Sequence, residues 1–167
     1  GYFFRIWIMH YLDGLKGPAV RVWLLATLLA LAVFFVTRIV LLGHSSMYSE
    51  QAVGGLLGGL MLGVLRDIPV AAVVALPWLL FEWLLNARWR PRLSVPLFAI
   101  FTFTLLFVGV SEVVFWDEFS VRFNFIAVDY LVFTTEVIGN IRESYPVGTI
   151  IGALLAVSLL IVWGLRR

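Results

Sequence analysis

Cysteine is absent from these 167 residues, which excludes disulfides, thiolate catalysis and cysteine-ligated metals. Charge is scarce as well. Only 13% of residues are Asp, Glu, Lys or Arg, roughly half the share found in soluble domains. The two histidines, His10 and His44, lie far apart in the sequence, and no HExxH, GxSxG or P-loop pattern occurs. The 12 Lys+Arg exceed the 10 Asp+Glu by two, and the arginines sit in short flanks. A pI near 9.3 therefore points to topology signals and not to nucleic acid.

What the chain has in abundance is apolar surface: 62% hydrophobic residues and a mean hydropathy of +1.03. Its length suits a single domain, residues 1–167. Seven Trp, fourteen Phe and five Tyr suit aromatic belts at membrane interfaces. Four runs are long and apolar enough to cross about 30 Å of hydrocarbon: residues 19–42, 68–85, 94–115 and 147–165. The predicted fold is all-α, a polytopic membrane helical bundle of about four transmembrane helices with an interfacial amphipathic helix. Pro69 and Pro96 fall near the starts of spans, where a missing N–H costs little, whereas Pro77 is interior and is expected to kink the second span. The chain starts at Gly1 and lacks the small-residue cleavage pattern of a signal peptide; it reads as a fragment or processed product.

Arg5, Lys16, Arg21, Arg88, Arg90, Arg92, Arg166 and Arg167 would share one side under the positive-inside rule. The other side would hold His44, Glu50, Arg66, Asp67 and the mainly acidic run 117–143. Both termini are then expected in the cytoplasm.

Two segments are neither spans nor ordinary loops. Residues 51–65, "QAVGGLLGGLMLGVL", read as a short glycine-rich helix, either interfacial or re-entrant, or the tilted beginning of the second span. Gly55, Gly59 and Gly63 recur every four residues and would let another helix approach closely; ordinary helix packing explains them equally simply. Residues 119–144 place Phe119, Phe123, Ile126, Tyr130, Phe133, Val137 and Ile141 on one helical face. Arg122, Asp129, Glu136 and Glu143 form a narrow polar stripe every seven residues. Such a segment belongs in the outer interface, as a cap over the spans or as a platform for a lipid or a second domain.

Ionisable residues inside spans are costly and are functional candidates by default. Arg38 and Glu112 lie at matching distances from the outer ends of their spans, so they form a candidate buried pair, structural or functional. Glu82, near the opposite end, reads as a helix-end residue. The candidates for a lipid headgroup are Arg38, Arg66 and Arg122, because guanidinium forks match phosphate oxygens. Glu112, Asp67, Asp129 and Glu136 are the buried polar candidates. His44, Asp117 and Glu118 complete a polar outer set that an ordinary solvated rim would also explain. Asp13-Gly14 lacks the downstream aspartates of membrane alcohol phosphotransferases and reads as a turn. No catalytic and no metal-binding residue is assigned.

The run from Glu118 to Val147, "EFSVRFNFIAVDYLVFTTEVIGNIRESYPV", closely resembles the stretch before a late membrane span in bacterial lipoteichoic acid synthase-like proteins. The core 122–130, "RFNFIAVDY", and the ending Asn140 with Glu143-Ser144-Tyr145-Pro146 carry the resemblance. "GVLRDIPV", residues 63–70, is a looser version of the family's glycine-to-aspartate lead into a span. These are sulfatase-like phosphoglycerol or phosphoethanolamine transferases of the alkaline phosphatase superfamily, with a membrane domain ahead of a large extracytoplasmic catalytic domain. The resemblance implies a bacterial cytoplasmic (inner) membrane, a phospholipid partner, and a partner catalytic domain of the same parent protein. It implies no cofactor in this chain, with manganese or magnesium confined to that catalytic domain. The family has one further span, so an end at Arg166-Arg167 is expected to reflect truncation. This stretch alone is not expected to be an active enzyme. The alternatives are a non-enzymatic membrane scaffold or subunit, and a small transporter with Arg38 and Glu112 along its pathway; no inverted repeat is evident.

Overall fold

The structure, a computed structural model, describes residues 18–46, 53–85, 88–120, 139 and 141–165. Among the described residues the helices are α1 Pro18–Ser46, α2 Val53–Val74, α3 Leu76–Leu84, α4 Arg90–Phe119 and α5 Val147–Leu165. Among the described residues there is no strand. Four stretches are long and apolar enough to span a bilayer: Ala19–His44, Leu57–Phe81, Arg92–Phe119 and Val147–Leu165. The fold is therefore all-α with four membrane-spanning helices. The physical cause is that a backbone in hydrocarbon must satisfy its own N–H and C=O groups, and a helix does so locally.

At most 28% of any of these spans is buried within the chain. Leu28, Val36, Leu62, Val73, Ile100, Leu159 and Leu160 are among the many exposed apolar side chains. In water such a surface would drive aggregation; in a bilayer it is the surface that lipid covers.

The chain divides into two compact units, Gly1–Val36 with Ser49–Leu93, and Thr37–Tyr48 with Ser94–Arg167. In the first, the described residues wholly excluded from solvent are alanines, Ala26 and Ala30 one turn apart on α1, Ala71 in the last turn of α2 and Ala75 at the break that follows it. Small side chains let helix backbones come close where no hydrophobic force drives association. Trp23 ties the two helices directly, its indole N–H donating to the Ala72 carbonyl at 3.1 Å. That carbonyl lies in the last turn of α2, where carbonyls lack a helical donor.

In the second unit, α5 buries Leu154, Ser158 and Val162, one turn apart on a single face, and α4 buries Thr102, Leu105 and Phe115. The buried hydroxyls satisfy themselves within their own helices: Thr102 donates to the Phe98 carbonyl at 2.8 Å, and Ser158 to that of Leu155 at 2.9 Å.

The glycine-rich segment 51–65 does not form a helix of its own. From Val53 it runs unbroken through Arg66, Asp67 and Pro69 to Val74, so it is the beginning of the second span. Pro69 and Pro96 are likewise not at helix starts: Pro69 lies inside α2 and Pro96 inside α4. Each leaves the carbonyl four residues back without its usual helical donor. Surroundings inside a membrane protein commonly re-satisfy such groups. Pro77 acts as its interior position suggests. The helix breaks at Ala75, and Pro77 falls in the first turn of α3, where a proline costs nothing. The third span runs as α4 past both expected ends, Ser94 and Phe115, to Arg90 and Phe119. Pro91 in its first turn favours the early start. Beyond it, Ser120 takes φ 53, the left-handed cap conformation usually given to glycine, at a cost of about 1 kcal/mol. The fourth span begins where Pro146 ends the preceding turn, since a residue before proline disfavours the α region, and covers Val147–Leu165 as expected.

Candidate functional site

The polar set expected on the outer side begins from two helix ends within the second unit. His44 lies in the last turn of α1, and Asp117 in the last turn of α4. His44 Nε2 stands 3.6 Å from Asp117 Oδ1, with both side chains a little over 40% exposed. The other ring nitrogen, Nδ1, lies 3.1 Å from the Val40 carbonyl one turn back. The Nδ1 contact is within hydrogen-bond distance, whereas the Nε2 contact is longer and electrostatic. Phe115, buried beneath, packs against Phe119 with ring centroids 4.6 Å apart.

This contact sets the ends of α1 and α4 side by side. Arg38 precedes His44 by six residues and Glu112 precedes Asp117 by five. At 1.5 Å per residue they lie about 9 Å and about 7.5 Å back along their helices, at nearly one depth. Both are half-buried, and each has an interaction partner in the structure. Six and five residues are about 120° and about 140° round a helix from His44 and Asp117, so neither Arg38 nor Glu112 shares the face of the exposed pair. Among the described residues no group of three or more His, Asp or Glu side chains could hold a metal ion. Fixed charges at a span end can instead orient an ionic group near the interface.

The remaining candidates separate. Arg66 and Asp67 are interior residues of α2, in the first unit, Arg66 exposed and Asp67 half-buried with a partner of its own. The apolar window Leu57–Phe81 would set these charges at mid-membrane. A charge at that depth is costly and makes each residue a functional candidate. Arg122, Asp129 and Glu136, with most of the amphipathic segment 119–144, lie outside the described residues. Of the glycine face, Gly63 is buried, whereas a Cβ added at Gly58 or Gly59 would meet nothing within 4 Å. Glu82 lies in α3 near its end.

Sequence reasoning treated His44 and Asp117 as rim residues without pairing them. Their similar offsets from Arg38 and Glu112 were the available signal. It also read Arg88, Arg90 and Arg92 only as topology markers, whereas the structure builds them into a defined turn. Comparison with protein-family models, curated proteins and solved structures finds no match for this chain.

Proposed function

We propose that this chain is the membrane domain of a sulfatase-like transferase that moves a phosphoglycerol-type headgroup from a phospholipid. It anchors the catalytic domain at the outer face of a bacterial cytoplasmic membrane and presents lipid to it. The observation that carries the reading is the Glu118–Val147 run and its resemblance to the corresponding stretch of lipoteichoic acid synthase-like proteins. The four membrane-spanning helices support it, because that run lies between the third and fourth. The arginine distribution supports an orientation with both termini in the cytoplasm.

The scaffold reading has one observation in its favour: the open glycine positions Gly58 and Gly59 on α2, which would accept a close-packed partner helix. Two measurements separate the readings. Reporter fusions after Arg92 and Arg167 should report cytoplasm, and fusions near Glu50 and Ser144 the exterior; an exterior signal at Arg92 overturns the orientation. The reading frame beyond Arg167 should encode a further span and a large soluble domain. A stop codon there would rule out the transferase reading and leave the scaffold.

A further inference from the structure

The turn between α3 and α4 concentrates positive charge at one edge of the apolar surface. Arg88, Arg90 and Arg92 fall within five residues, and Glu82 is the sole carboxylate between Asp67 and Glu112. All of the turn belongs to the first unit. Leu85 leaves α3 in an extended conformation, with φ −90 and ψ 132, and its carbonyl accepts the Arg90 Nε–H at 2.8 Å. Arg90 thereby closes the turn. The Trp89 carbonyl accepts the backbone N–H groups of Arg92 and Leu93, both at 3.1 Å, which starts α4. The Arg92 guanidinium sits 5.8 Å from the Trp89 ring centroid, within cation–π range.

Arg88 and Arg92 are exposed, so their donors face outward. Beside them, Trp83 is 83% exposed and Trp89 50%. Exposed tryptophans at the end of a span suit the boundary between acyl chains and headgroups, where one edge is apolar and the other wet. Arginines at the same level suit phosphate oxygens. A zwitterionic headgroup would bring its ammonium to a stretch with three guanidinium groups and one carboxylate, so the local charge selects a net negative lipid.

We propose that the Trp83–Arg92 turn binds an anionic phospholipid headgroup, with Arg88 and Arg92 holding the phosphate and Trp83 and Trp89 seated at the acyl boundary. The proposal does not depend on the transferase reading.

Native mass spectrometry of the purified 167-residue chain, with phosphatidylglycerol or phosphatidylcholine added, tests it. The chain should retain phosphatidylglycerol in preference to phosphatidylcholine. Arg88→Gln with Arg92→Gln should weaken phosphatidylglycerol retention by about fivefold for each charge removed. Trp89→Leu, which keeps every charge and hence the insertion signal, should weaken it about two- to fivefold by removing the ring beneath Arg92. Equal retention of the two lipids by the unaltered chain would overturn the proposal. So would unchanged phosphatidylglycerol retention in both variants when they melt at the unaltered chain's temperature. Displacement by millimolar inorganic phosphate would assign the site to free phosphate and overturn the lipid assignment.

Discussion

The two halves of α1 join their neighbours by different chemistry. From Trp23 to Val36 the helix carries no ionisable side chain; it buries Ala26 and Ala30 fully and is tied to α2 by one indole-to-carbonyl hydrogen bond. From Thr37 to His44 the helix carries Arg38 and His44, and the latter faces Asp117 of α4. The first half needs no compensating charge and gains from closeness, since dispersion and hydrogen bonding are what hold helices together in lipid. The second half has costs to offset. A half-buried guanidinium or carboxylate is tolerated only with partners, and removing one partner leaves the other exposed to a low-dielectric cost. A mutation in the first half should therefore lose what it deletes, whereas one in the second half should also penalise what it leaves behind.

The largest effect expected from this comparison is at Arg38 and Glu112. Either Arg38→Leu or Glu112→Leu should lower stability by about 2–3 kcal/mol, read as the melting midpoint in detergent. The double variant should recover part of the loss, because neither charge is then left alone. Losses that simply add in the cycle would show the two to be independent.

Trp23→Phe should have an intermediate effect, about 1 kcal/mol, because it keeps most of the ring and removes only the donor to Ala72. A loss as large as that at Arg38 would mean the neutral half of α1 is as sensitive to a lost partner as the charged half. It would erase the distinction. The smallest effect belongs to Asp117→Asn. The His44–Asp117 pair is exposed enough for water and salt to screen it, so the change should cost no more than about 0.5 kcal/mol, and less still at high salt. A loss above about 2 kcal/mol would show that this exposed pair matters as much as the more deeply set charges.

Local information served well for the spans themselves. The Val147–Leu165 helix, the break before Pro77 and the all-α class follow from hydropathy, proline stereochemistry and the backbone's need for hydrogen bonds in hydrocarbon. Each of these properties is written within a few residues of where it acts. The continuity of α2 was harder to read. Arg66, Asp67 and Pro69 interrupt its apolar pattern and resemble a boundary, yet the backbone carries through all three.

Which helix faces which was decided only in three dimensions. In a soluble protein an apolar stripe marks the inward face, but a lipid-exposed helix is apolar on every side and loses that marker. Leu28 is exposed and Ala30 fully buried on the same helix, an order that hydrophobicity alone would reverse. The Trp23–Ala72 bond spans 49 residues, and the His44–Asp117 contact joins two helices separated by the whole of the second span. The sequence by itself determined that this is a four-span, all-helical membrane protein, because helix formation and bilayer crossing are local and additive. The indole bond of α1 to α2, the His44–Asp117 contact of α1 with α4, and the closed arginine turn are tertiary decisions. They depend on close approach, hydrogen-bond geometry and charge partners supplied by residues distant in the chain.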